Sequence, residues 1–296
     1  MEITFLGTGA MVPTADRNHC SFLLAFRDEG ILFDCGEGTQ RQLKKAKISP
    51  AKITKILISH WHGDHVLGIP GLIQTMAACE YSGTLEIYGP SGSKEFFSRM
   101  FNSFVLESRI SVNVHEVNDG VFFENEWFNI EAKPLRHSSR CIAFAFIEKD
   151  RRRINIDYIK KFGLQQHPVL KQLQQGKDIE WKGSKIKADE ATFVVKGKKI
   201  AYVADTAMCN NAVEIAKDAD LLICEATLAE DMKDKAEISR HLTSSQSAEI
   251  AKSANAKKLV LTHFSPRYKT VTHIKEQAKK VFKNVSCAKD FMKLTL

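Results

Sequence analysis

Residues Ile56 to His65 read Ile-Leu-Ile-Ser-His-Trp-His-Gly-Asp-His, which puts three histidines and an aspartate into the six positions after an apolar run. The run has the length and composition of a buried strand, and the polar cluster begins where it leaves the sheet. His60 and His62 lie two apart on extended backbone, so their side chains leave on the same side and both imidazoles can reach one ion. Gly63 permits a sharp turn, and Val66-Leu67-Gly68-Ile69 opens a helical pattern. That turn aims Asp64 and His65 at a neighbouring point. Imidazole and carboxylate donors without thiolates suit Zn²⁺, with Mn²⁺, Fe²⁺ or Co²⁺ able to use the same set.

Outward from this stretch, other apolar runs end in the same way: ILFD at Asp34, IAYVAD at Asp205, LLICE at Glu225 and KLVLTH at His263. One such residue is commonly a helix cap or a turn former. A series of them places ligand-type side chains along the C-terminal edge of a sheet, where loops converge on one crevice. Short apolar runs alternate with amphipathic stretches such as Asn210 to Asp218 and Ser244 to Ala254, which defines an α/β protein. Four ligands from one turn cannot complete two ions. The remainder must come from elsewhere, and His137 in PLRHSSR, Asp205 and His263 are the candidates. His19, His115, His167 and His273 lack such company and read as surface or structural residues.

With 296 residues, 44% apolar and 26% charged, the chain can bury the core of one large domain or two closely joined halves. No uncharged apolar run approaches the roughly 20 residues that cross a bilayer, and the N-terminus lacks a secretion signal, so a cytoplasmic protein without a membrane partner is expected. The seven cysteines are scattered and never form a C-x-x-C pair, which argues for reduced thiols. Lys and Arg exceed Asp and Glu by eight, a balance that favours a polyanionic partner. The segment Arg151 to Glu190 holds ten Lys or Arg against five Asp or Glu, and its polar, turn-rich sequence fits no continuous core pattern.

The set HWHGDH, His137, Asp205 and His263 resembles the metallo-β-lactamase superfamily. The resemblance implies a four-layer αββα sandwich spanning residues 1–296 as a single domain. It also implies two zinc ions per subunit: His60, His62 and His137 on the first, Asp64, His65 and His263 on the second, and Asp205 bridging. Two such ions lower the pKa of a shared water and clamp a phosphoryl centre, and Asp64 could accept that water's proton.

Within the superfamily, MEITFLGTGAMVP, Arg17-Asn18, DCGEGTQRQL from Asp34, CEAT from Cys224, HLT at His241 and HFSPRY from His263 resemble tRNase Z. That family trims the 3′ trailer from tRNA precursors, leaving a 3′-hydroxyl on the tRNA and a 5′-phosphate on the trailer. The resemblance implies precursor tRNA as partner, a homodimer, Glu225 and His241 as the pair that protonates the leaving oxygen, and Arg17, Asn18 and Arg267 as substrate-binding residues. It further implies that residues 151–190 are an inserted basic arm, an exosite for the tRNA elbow. Three places depart from the family pattern: the arm's Gly-Pro-rich turn is Gln165-Gln166-His167-Pro168, Ala15 stands where many relatives have Lys, and Cys224 where many have His. The alternatives are a superfamily hydrolase of small phosphodiesters or esters, and an RNA-binding module with a vestigial metal site.

Overall fold

The structure, a computed structural model, describes residues 1–103, 105 and 110–296. The chain forms two compact units, Met1–Phe123 with Ile130–Phe146 and Lys199–Leu296, and Glu124–Asn129 with Ile147–Lys198.

In the larger unit, Ser21–Phe26 (SFLLAF) and Glu29–Phe33 are apolar on both faces, which is the pattern of a sheet covered on both sides. One face meets helices. Leu6, Leu23, Leu32, Ile56 and Ile58 pack there with Val66, Ile69, Leu72 and Met76 of the chain that follows the histidine cluster. The other face is aromatic and meets the second sheet, with Phe22 stacked on Phe33 at 4.5 Å and both rings edge-on to Tyr202. Phe144 closes on Phe33 from the same direction.

Each of the two central sheets has seven strands among the described residues. The first runs Lys293–Thr295, Glu2–Gly7, Ser21–Phe26, Glu29–Phe33, Lys55–Leu57, Thr84–Gly89, Ser111–Glu116. It is antiparallel as far as Glu29–Phe33 and parallel beyond. The second runs Val285–Cys287, Leu259–Thr262, Leu221–Glu225, Lys199–Val203, Cys141–Glu148, Phe128–Leu135, Gly120–Glu124, with its first four strands parallel. Helices Thr39–Lys45 and Ser93–Phe101 cover the first sheet, and Asn210–Ala216, Ser244–Ser253 and Thr272–Val281 the second. The result is the four-layer αββα sandwich. Parallel strands point their C-terminal ends the same way, so the residues after Phe33, Leu57, Val203, Glu225 and Thr262 gather on one edge.

The smaller unit is wider than the basic segment 151–190. Arg151–Ile154 pairs with Thr192–Val195 and closes its base. A second small sheet pairs Ile179–Trp181 with Ser184–Ile186. Although the sequence shows no continuous core pattern, the unit has a small core of Ile159, Leu164, Leu173, Ile179, Ile186, Ala188 and Ala191. Among the described residues no helix is long and apolar enough to cross a membrane.

Candidate metal centre

Asp34 follows its strand with a left-handed φ of 52° and is fully buried. Its Oδ1 accepts from the Ser59 backbone N–H at 2.8 Å, while Oδ2 accepts from Ser59 Oγ at 2.9 Å, His65 Nδ1 at 2.8 Å and the Tyr202 hydroxyl at 2.7 Å. Three donors from the loop that carries the histidine cluster and one from Tyr202 thus fix that loop on Asp34.

These hydrogen bonds also determine which way the imidazoles face. A hydroxyl has one proton. Ser59 gives its proton to Asp34, so its oxygen accepts Nδ1–H of His60 at 3.0 Å. Thr227 gives its proton to Glu225, so its oxygen accepts Nδ1–H of His263 at 2.8 Å. His137 donates Nδ1–H to the Arg240 carbonyl at 3.0 Å, and His65 donates Nδ1–H to Asp34. In all four rings Nε2 is therefore turned inward. Among the described residues His60 Nε2 and Asp205 Oδ1 are buried without a hydrogen-bond partner, and His65 Nε2 faces His263 Nε2 at 3.2 Å. Two imidazole nitrogens facing each other at this distance share either a proton or a metal ion.

The inward atoms form groups able to hold an ion, with ligand atoms within 4.8 Å of one another: His60, His62, His137 and Asp205; Asp64, His65 and His263; and Asp205, His241 and His263. Asp205 Oδ2 lies 3.7 Å from both His60 Nε2 and His65 Nε2, which puts it at the junction of the groups. Asp64 Oδ2 lies 3.6 Å from His65 Nε2 and 3.5 Å from His263 Nε2, and accepts the Met11 backbone N–H at 2.7 Å. All seven expected ligands thus converge. Their donor set and inward lone pairs fit a divalent cation.

Titration follows from the same surroundings. Burial lowers the pKa of His60, His62 and His137, keeping them in the neutral form that binds metal. Burial also disfavours the charged form of His65, but Asp34 and then Asp205 outweigh it and push the ring up to about 10. Burial would raise Asp64 and Asp205, yet the surrounding imidazoles, His263 foremost, hold both well below the usual carboxylate range.

Beside the cluster, Glu225 ends a fully buried strand and points Oε1 at His241 Nδ1 at 3.2 Å. The Thr206 backbone N–H and the Thr227 hydroxyl hold its two oxygens. Burial alone would lower His241, but Glu225 and then Asp205 push it up to about 9. Thr243 caps the helix that begins at Ser244 through a capping box with Gln246, which fixes the chain two residues after His241.

His62, Asp64, His137, Asp205, His241 and His263 share a cavity of about 270 Å³ with Lys235 and Arg267. Arg17 is elsewhere: its guanidinium donates to the Tyr268 and Lys269 carbonyls at 2.8 and 3.2 Å and stacks over Phe264. Asn18 is held by the Glu37 carbonyl and Asp290. Their hydrogen bonds hold the cavity wall together. Of the histidines read as structural, His115 binds Glu86, and His167 and His273 pack on Trp181 and Tyr268. Sequence reading left Asp34, Ser59, Tyr202 and Thr227 without a role; the strand-ending Asp34 was the available signal.

A layered αββα sandwich with this histidine and aspartate cluster on one sheet edge defines a protein of the metallo-β-lactamase fold. The chain matches the family described as Anti-Pycsar protein Apyc1 over residues 1–140 and the Beta-lactamase superfamily domain over residues 160–264. It is 41% identical over 293 residues to ribonuclease Z of Methanothermobacter thermautotrophicus, covering 99% of this chain and 95% of the relative. Ribonuclease Z of Pyrococcus horikoshii is 38% identical, with 100% and 96% covered. Human tRNase Z, short form, superposes with a TM-score of 0.74 at 31% identity, covering 100% of this chain and 99% of that one. The chain belongs to the ribonuclease Z family, metal-dependent endoribonucleases that process tRNA 3′ ends.

Proposed function

We propose that this protein cleaves the 3′ trailer from tRNA precursors in the cytoplasm, leaving a 3′-hydroxyl on the tRNA and a 5′-phosphate on the trailer. His60, His62 and His137 would hold one zinc ion, Asp64, His65 and His263 a second, and Asp205 both; Mn²⁺, Fe²⁺ or Co²⁺ suits the same donors. When bound, the ions supply Lewis-acid activation of water and of the scissile phosphate. Asp64, held by Met11 N–H, would take the proton of the attacking water. His241 would give a proton to the departing 3′ oxygen, with buried Glu225 keeping the ring charged and oriented.

The observation that carries this reading is the Glu225–His241 pair beside the ligand cluster, because a poor leaving group such as a ribose 3′ oxygen needs a proton donor that is not itself a ligand. Arg267 would meet RNA at the cavity wall, with Arg17 and Asn18 shaping the loop behind it. The inserted arm at 151–190, with ten Lys or Arg against five Asp or Glu, would bind phosphates of the tRNA elbow, and the protein would act as a homodimer. Incubation of the purified, zinc-loaded protein with an end-labelled tRNA precursor tests this: one cut after the discriminator base is expected. Hydrolysis of a chromogenic phosphodiester with the precursor left intact would favour a small-substrate hydrolase instead.

A further inference from the structure

Metal binding at His60 and His62 leaves the residue between them unassigned. On extended backbone its side chain leaves on the opposite side from its neighbours, away from the ions. Here that residue is Trp61, whose Nε1 donates to Ser93 Oγ at 2.7 Å. Ser93 Oγ in turn donates to the Pro90 carbonyl at 2.6 Å, so the indole is pinned at its edge. Its ring lies 5.6 Å from that of Phe96 at a tilt of 30°. Phe97, Met100 and Phe101 of helix Ser93–Phe101 pack on the core, whereas Phe96 is 44% exposed. The chain enters this helix through Gly92 at a φ of 98°, where a Cβ would stand 3.3 Å from the Phe96 ring.

Trp61 and Phe96 line a second cavity of about 440 Å³, closed by Pro90, Glu95, Ser139 and Arg140. Glu95 is paired with Arg99. Arg140 donates to the Ser91 carbonyl at 3.2 Å and has no carboxylate partner among the described residues, and Ser139 Oγ is buried without a hydrogen-bond partner. His62 lines both this cavity and the one at the metal centre. A rigid aromatic pair, a cation without a carboxylate partner and a hydroxyl without a hydrogen-bond partner among the described residues are the elements that hold a single-stranded nucleotide: a surface for the base, a charge for its phosphate and a polar anchor.

The position of His241 indicates which nucleotide. The His137 ring centre lies 5.0 Å from that of His62 and 5.1 Å from that of His241, and of these three only His62 also lines the Trp61 cavity. His241 serves the oxygen that stays with the tRNA, so RNA on the far side of His62 is the trailer. We propose that Trp61 and Phe96 form a stacking subsite for a base at the start of the 3′ trailer, with Arg140 on its phosphate. The inference rests on the proposed tRNA cleavage.

The test compares precursors that carry either bases or abasic units at the first two trailer positions. The unaltered protein is expected to prefer the base-bearing form by roughly tenfold in kcat/KM, in line with the worth of one base–aromatic stack. In Trp61→Ala and Phe96→Ala that ratio falls toward one. A second measurement is the affinity of the zinc-loaded protein for a 5′-phosphorylated single-stranded pentanucleotide, which both substitutions should weaken by a similar factor. Phe96 lies outside the metal ligands, so its variant reports even where Trp61→Ala disturbs the cluster. A ratio unchanged in both variants, or pentanucleotide affinity unchanged in both, overturns the subsite. A protein that leaves precursor tRNA uncut, yet binds the pentanucleotide through Trp61 and Phe96, would remove the tRNA reading and keep the subsite.

Discussion

Asp205 reaches imidazoles from both candidate ligand groups, with Oδ2 3.7 Å from His60 and His65 and Oδ1 3.3 Å from His263. Two cations side by side repel, and a shared anion offsets that repulsion. Asp205→Ala should therefore lower metal content to one ion per chain or none and abolish precursor cleavage; metal analysis that finds two ions and a near-normal rate would remove Asp205 from the site. His241→Ala should keep its metal and slow single-turnover cleavage by roughly 10² to 10⁴, the usual worth of acid–base catalysis. His241 also falls in a group with Asp205 and His263 able to hold an ion, so loss of metal in that variant would make it a ligand rather than a proton donor. The candidate ligands stand out in the sequence because their spacing is local or their strand ends are abrupt. The residues that orient them do not: Tyr202 reaches Asp34 across 168 positions, and the Arg240 carbonyl reaches His137 across 103.

At the level of elements, near-continuous apolar runs indicated sheets buried on both faces, and those runs form the two central layers. The pattern does not reveal that one face of Ser21–Phe26 is aromatic because a second sheet lies there, since Phe144 and Tyr202 come from far along the chain. The inserted unit hid its core for another reason: six of its seven core residues are spread over three short helices and two short strands, none long enough to show a period, and Leu164 lies between elements. Its base is well defined. Arg151 is paired with Val195, and just outside them Asp150 holds Lys196 Nζ and Gly197 N at 2.7 and 2.9 Å. Replacing Arg151–Val195 by Asn-Gly would close that base with a two-residue hairpin turn. The variant should keep its metal and hydrolyse a small phosphodiester within about twofold of the parent, while KM for precursor tRNA rises roughly tenfold or more and loses most of its salt dependence. Equal losses on both substrates would show that the unit supports the fold rather than the substrate.

Across the larger unit, the candidate ligands come from both central sheets: His60, His62, Asp64 and His65 from the edge of one, His137, Asp205 and His263 from the edge of the other. A bound metal would thus tie the two layers together, and at a thousandfold excess over Kd a ligand specific to the native state adds about 4 kcal/mol. Removal of metal by a chelator should lower Tm by on the order of 10 °C. The same ions must compete with a proton. His65 already donates Nδ1–H to Asp34, and with its pKa pushed up to about 10 the metal-free ring also carries a proton on Nε2 at neutral pH, facing His263. His60, His62 and His137 have lowered pKa values and bring no such proton. An ion taking His65 Nε2 must release it, so apparent affinity should rise about tenfold per pH unit below pH 10 and level off above, beyond the metal's own hydrolysis. The sign follows from which state holds the proton: the metal-free one, below the raised pKa. Calorimetric zinc titration at pH 7 in buffers of different ionisation enthalpy should show about one proton released per chain, assignable to the Asp64–His65–His263 group. Uptake without proton release would mean that His65 is neutral before metal arrives, and that Asp34 orients the ring without charging it.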